Sequence, residues 1–328
     1  MYKPITYFAA ILLIPLLLAC EKEIGYNHKN QSTFLVMNSY LNPDSVFSVS
    51  VTESFSIMEN WGGKFLIADV NVFENETLLE TLKLDSIHWR YYGTHKPLVG
   101  KSYKITVASN GFLPIEATAV VEPAPEILKC NIVRDSIRGG TYATVTFKDP
   151  PGVKNFYRLV VANVDVYDQK PNDYDYNIYY GDYGTGSSGW SGPGWIFTDY
   201  NTYIKSTDPT LNPKSGVTLL EDVPDNIFNI FNDELIDGKE YSFTFTYYTS
   251  YYPEAKNTTV VYLQAISEDL YKYYKTFAAQ KYFGNEDILM EPIQVYTNIK
   301  NGAGILGSYN SNKVIVDMDN IVTKPYGS

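Results

Sequence analysis

The chain has 328 residues, with 37 acidic against 26 basic side chains and a formal net charge of −11. That balance argues against nucleic acid as a partner and against a peripheral membrane binder held by charge, since both need clustered cations. Tyrosine counts 30 residues and aromatics reach 15%. Tyrosine supplies strand propensity and rigid contact area, so its total reflects architecture and only its clustering speaks of function.

Reading from the amino end, Lys3 is followed by the run Ile5 to Leu18, apolar apart from Thr6. The run is too short to span a bilayer comfortably, because a spanning helix needs roughly 20 apolar residues. It has the form of the apolar core of a secretory signal. Leu17-Leu18-Ala19-Cys20 follows directly, with a small residue before the cysteine. Residues 1–19 are therefore expected to be a lipoprotein signal peptide, and Cys20 the lipid-modified first residue after cleavage. Two or more acyl chains, palmitate among them, make a stable anchor where one is marginal. Once Cys20 is lipidated, Cys130 is the remaining cysteine, and no internal disulfide is expected. Cys130 reads as a small strand residue turned inward.

Residues 20–32 are polar and unpatterned and read as a flexible tether. Residues 33–124 are expected to form an N-terminal β-sandwich. Phe47, Val49 and Val51 alternate with polar residues, as do Tyr103, Ile105 and Val107, and Ile115, Ala117, Ala119 and Val121. This is the period of half-buried strands. Segments 34–40 and 69–74 bring the count to at least five strands, which suggests an Ig-like sandwich. Pro123 and Pro125 then break the pattern, because proline is excluded from central strands.

Residues 126–328 are expected to form a second β-domain, fibronectin-III-like and elaborated. Ala143, Val145 and Phe147 alternate with threonines, the Asp149-Pro150-Pro151-Gly152 turn follows, and 155–164 is apolar on both faces and so central. Tyr241, Phe243, Phe245 and Tyr247 form a further strand after an Asp237-Gly238 turn, and 258–266 is expected to complete a hairpin with it. One α-helix is expected near 267–282. Ser267 caps it, Glu268 and Asp269 suit its positive end, and Leu270, Tyr273, Tyr274, Phe277 and Ala278 make one apolar stripe. Asn301 to Gly307 reads as a tight turn between apolar strands.

Residues 165–216 interrupt this order. Asp173, Tyr174, Asp175, Tyr176, Tyr179, Tyr180, Asp182 and Tyr183 are followed by a glycine-rich stretch holding Trp190 and Trp195. A long unpatterned insertion in a compact domain is usually functional or disordered. Its five tyrosines and two tryptophans are candidate binding residues for a protein or a carbohydrate. Asp173, Asp175 and Asp182 offer oxygen ligands to a hard cation, but their spacing does not fit an EF-hand loop, and solvated loop acids are the preferred reading.

Several segments together resemble an uncharacterised-domain family of Bacteroidota outer-membrane lipoproteins found beside SusC-type TonB-dependent receptors. The matching residues are Cys20-Glu21-Lys22-Glu23-Ile24, Val99-Gly100-Lys101-Ser102-Tyr103, and Asp149-Pro150-Pro151-Gly152 with Asn155 to Leu159. Ile266 to Tyr273, and Glu291 to Ile299 with Gly302 to Gly307, complete the set. The resemblance implies no catalytic residues. It implies that Glu21, Lys22 and Glu23 direct the lipoprotein to the cell surface. The first domain is also similar to the regulatory sandwich of carboxypeptidases.

Enzymatic chemistry has no positive sign in the sequence. His28 lies in the tether, and His88 and His95 flank Trp89-Arg90-Tyr91-Tyr92 in an expected loop. No His/Cys metal spacing, nucleophile elbow or phosphate loop occurs. No cofactor is expected. The expected function is that of a non-catalytic accessory or partner of a TonB-dependent transporter, anchored in the outer membrane by acyl chains and facing the exterior. The alternative is a free-standing glycan- or peptide-binding lipoprotein.

Overall fold

The computed structural model describes residues 33–55, 64–135, 140–167, 188–190, 195–199, 204–212, 226–247, 255–283 and 294–324. It is mainly β. The first eight strands are β1 (Leu35–Leu41), β2 (Ser48–Glu53), β3 (Asp69–Glu74), β4 (Thr77–Thr81), β5 (Lys83–Asp85), β6 (Arg90–Tyr92), β7 (Ser102–Ala108) and β8 (Ile115–Val120). Then come β9 (Glu126–Asp135), β10 (Thr141–Lys148), β11 (Phe156–Tyr167), β12 (Ser188–Trp190), β13 (Trp195–Asp199), β14 (Ile204–Lys205) and β15 (Ile230–Asn232). The chain continues with β16 (Glu240–Tyr247), β17 (Ala255–Ile266), the helix α1 (Glu268–Phe283), β18 (Ala303–Asp317) and β19 (Thr323–Lys324). Among the described residues no helix is long and apolar enough to cross a membrane.

Two facing pairs of sheets bury the alternating residues. In the first sandwich, the run β18-β1-β2-β6-β5 opposes the sheet β4-β3-β7-β8. Leu35, Met37 and Leu41 of β1 meet Tyr103, Ile105 and Val107 of β7 in one core. In the second, β13-β11-β17-β18 opposes β14-β16-β10-β9-β19. Ala143, Val145 and Phe147 of β10 face Tyr157, Leu159 and Val161 of β11. The Phe147 ring meets Tyr157, Phe243 and Phe231 edge-on at 5.2, 6.0 and 6.1 Å, a geometry aromatic quadrupoles prefer. Much of the aromatic content is therefore core.

The helix has the expected form. Ser267 Oγ accepts from Leu270 N at 3.4 Å, and Lys272 pairs with Glu268 one turn back at 3.3 Å. Leu270, Tyr273 and Tyr274 pack on Phe156, Phe228, Ile266 and Ile305, a third core on the outer face of the large sheet.

The strand β18 does not respect the division at Pro125. Its first half pairs parallel with β1, from Val36↔Ala303 to Leu41↔Ser308. Its second half pairs antiparallel with β17, from Ile266↔Tyr309 to Thr258↔Asp317. Leu306 and Ile299 accordingly sit in the first core. One ten-stranded sheet thus runs through both sandwiches.

Three local expectations are corrected. Strand β17 is not the hairpin partner of β16. It pairs with β11 and β18, while β16 pairs with β10 and β14 across the core, so the chain changes sheets between them. Trp89-Arg90-Tyr91-Tyr92 is not all loop, because β6 pairs with β2 and Tyr91 is buried with its hydroxyl donating to Leu66 O. The glycine run is strand from Ala303 onward, so the turn is confined to Asn301, at φ +61°, and Gly302. A Cβ on Gly307 would lie 2.9 Å from the Leu270 Cβ, so the glycine lets the helix approach the sheet.

Candidate functional site

The expected anchor and export residues Cys20, Glu21, Lys22 and Glu23 lie outside the described residues, as do Asp173, Tyr174, Asp175, Tyr176, Tyr179, Tyr180, Asp182 and Tyr183. Trp190 and Trp195 are placed by their backbone. Trp190 pairs with Phe197 between β12 and β13, and Trp195 pairs with Tyr167 of β11. Part of the insertion thus forms a two-stranded edge on the large sheet. Period-two reading misses it because β12 has only three residues, rich in glycine and serine.

The carboxylates that the structure does bring together are others. Oxygens of Asp149, Asp233 and Asp237 lie within 4.8 Å of one another. Two turns create the meeting. Asp149 follows β10 and Gly152 takes φ +73°; Asp233 follows β15 and Gly238 takes φ +69° before β16. Each carboxylate reaches across to the opposite turn. Asp149 accepts the Tyr157 hydroxyl and, at 2.9 Å, Gly238 N. Asp237 accepts Gly152 N at 2.8 Å, and Asp233 accepts Asn155 N at 2.6 Å. Burial raises the Asp149 carboxyl above its ordinary value; donation from Tyr157 and Gly238 opposes this, and Asp233 and Asp237 add to it. The same burial, with Asp149 beside it, raises the Tyr157 hydroxyl. An all-oxygen set suits a hard cation, yet the cluster's donors and acceptors already brace the two turns against each other. The sequence shows both turns but not that they touch.

A groove of about 480 Å³ opens beside β14 and β16. Its lining includes Lys205, Ser206, Asn212, Asn226, Asn229 and Thr244. Asn226 shapes one wall. Its amide donates to Leu211 O at 3.0 Å and its Oδ1 accepts Ile230 N at 3.0 Å. Asn229 takes φ +51°, a left-handed conformation that asparagine tolerates better than most residues.

Residues 294–307, part of the segments that carry the resemblance, join the helix to the sheet. Asn298 donates to Leu306 O at 2.9 Å and to Asp269 at 3.0 Å, and its Oδ1 accepts Leu306 N at 3.0 Å. Tyr296 donates to the other Asp269 oxygen, and burial with this carboxylate pushes its hydroxyl up to about 12. The segment clamps the start of α1 to β18. Cys130 lies half-buried on β9, and desolvation pushes its thiol up to about 11, which suits packing and not nucleophilic attack.

A search of curated proteins gave no match. A family model described as a domain of unknown function (DUF4249) matches residues 21–314. The match covers the first sandwich, the helix and the second sandwich as far as Val314 of β18, and the chain belongs to that family.

Proposed function

We propose that this chain is a lipid-anchored outer-membrane protein, facing the cell exterior, that acts as a non-catalytic accessory of a SusC-type TonB-dependent transporter. The observation that carries the reading is the apolar run Ile5 to Leu18 followed by Ala19-Cys20, ahead of the first described strand at Leu35. The acyl chains at Cys20 hold the protein at its membrane, since its acidic surface offers no electrostatic hold. The hairpin β12–β13 places the backbone of the Trp190 and Trp195 segment at one end of the large sheet's strand order. The resemblance to receptor-associated lipoproteins names the partner class.

The test is mild crosslinking of intact cells, followed by recovery of the tagged chain. A SusC-type receptor should co-purify in stoichiometric amount. Full recovery of the chain without a receptor would sink the reading. The groove lined by Asn212, Asn226 and Asn229 favours a second reading, a free-standing glycan- or peptide-binding lipoprotein. In that case the isolated chain binds glycans or peptides with no receptor present.

A further inference from the structure

Among the described residues, one end of the first sandwich carries a group of exposed apolar side chains. Phe34, Phe55, Phe65, Ile67, Ile87 and Trp89 are each at least 42% exposed. Strand register gathers them. Phe34 exchanges hydrogen bonds with Ser54, N to Oγ at 3.0 Å and O from N at 2.9 Å, and Phe65 bridges Thr52 one step along β2. The rings of Phe65 and Trp89 stack at 5.8 Å. Ile67 O accepts the Ser109 hydroxyl at 2.8 Å, which brings the β7–β8 turn alongside, with Leu113 72% exposed. Trp89 has φ +51°, a strained backbone for a bulky residue, and still presents its ring at the surface.

The position of this end in the molecule is equally specific. Strand β18 starts here, beside β1, and at ~3.3 Å per residue carries the chain roughly 45 Å to Asp317 in the second sandwich. The apolar end is therefore the tip remote from the second sandwich. It is also where the segment from Cys20 enters the fold, at Phe34. A polar segment the length of 21–33 has a root-mean-square span of about 20 Å as a coil.

From this placement we infer that the tip formed by Phe34, Phe55, Phe65, Ile67, Ile87 and Trp89 seats in the headgroup region of the lipid bilayer and stands the molecule upright, with the second sandwich held away from the membrane. The inference rests on the reading that Cys20 carries the anchor. A short tether keeps the tip close to the bilayer, so that weak contacts are made at high effective concentration. Tryptophan and phenylalanine on projecting loops suit the interface, where the ring is half in hydrocarbon and half among polar groups.

The test supplies the anchor artificially. The chain from residue 21, with a hexahistidine tag in place of Cys20, is held on phosphatidylcholine vesicles containing a nickel-chelating lipid and brominated acyl chains. Trp61, Trp190 and Trp195 are replaced by phenylalanine so that Trp89 alone reports. Its fluorescence should shift to the blue and lose intensity on these vesicles, and Phe65→Ser with Ile87→Asp should restore much of that intensity while the tag keeps the chain bound. If the single-tryptophan chain does not fold, hydrogen exchange of the unsubstituted tagged chain replaces it, with slower exchange expected at 86–89 and 109–113 on vesicles. Unchanged fluorescence, or unchanged exchange, on a bilayer-held chain overturns the inference. So does protection that arises only when receptor is added. Because the tag replaces the lipid, these results do not depend on lipidation of Cys20, which fractionation of Cys20→Ala tests separately.

Discussion

The carbonyl oxygen of Met37 lies 2.1 Å from the point that a Cβ on Gly304 would occupy. The two residues face each other in the parallel ladder of β1 and β18, and Gly304 has φ +101°. A side chain there meets both a backbone clash and a strained conformation. Gly304→Ala should cost about 3 kcal/mol, the sum of overpacking and backbone strain. Denaturant unfolding measures it, and a loss within about 0.5 kcal/mol, typical of surface positions, would show that β18 shifts freely.

Glu80 pins the loop after β6. One oxygen accepts Thr94 N at 2.8 Å and the other His95 N at 3.1 Å. Burial alone would raise the Glu80 carboxyl, but the donors of Thr94 and His95 outweigh it and hold it below its ordinary value. Glu80→Ala should cost ~1–2 kcal/mol, because two amides lose their acceptor. The wild type's advantage should be present above about pH 4.3, the unfolded value, and fade as pH falls through the lowered native one. An advantage that grows on acidification would contradict this.

Asp149 has the opposite sign. Its native carboxyl is raised, chiefly by burial, so it holds its proton more tightly folded than unfolded. The stability it contributes is full below about pH 4 and is lost as pH rises through the raised native value. Comparing the unfolding free energy of wild type with Asp149→Asn across that range isolates the effect from the other carboxylates. The difference in favour of wild type should shrink with rising pH.

Cys20→Ala should release the protein from membranes, and quantitative fractionation with the outer membrane would refute the lipoprotein reading. Replacing Glu21, Lys22 and Glu23 together by alanine should protect the protein from external protease in intact cells. Cleavage at the wild-type rate would remove these residues from any export role.

Shortening the insertion by deleting 173–187 should leave the melting temperature near wild type. Loop closure changes by only about 0.6 kcal/mol per doubling of length, and no described strand is cut. Trp190→Ser with Trp195→Ser should instead weaken receptor recovery, since aromatic anchors carry much of an interface's energy. Loss of folding in either variant would make these residues part of the core.

What the sequence determined by itself is local and periodic. Alternation set β2, β7, β8, β10 and β16, and helical spacing with a Ser267 cap set α1, because side-chain direction follows from backbone period alone. The apolar run before Cys20 is equally local. Only the tertiary structure decided which strands share a sheet. Periodicity says that β16 buries one face, and it cannot say that β17 lies in the opposite sheet. Nor can it show that Gly304 lies against Met37, that Asp149 meets Asp233 and Asp237, or that Phe34, Phe65 and Trp89 share one tip. Each of these joins separate segments of the chain, and the contacts exist only once the strands between them have paired.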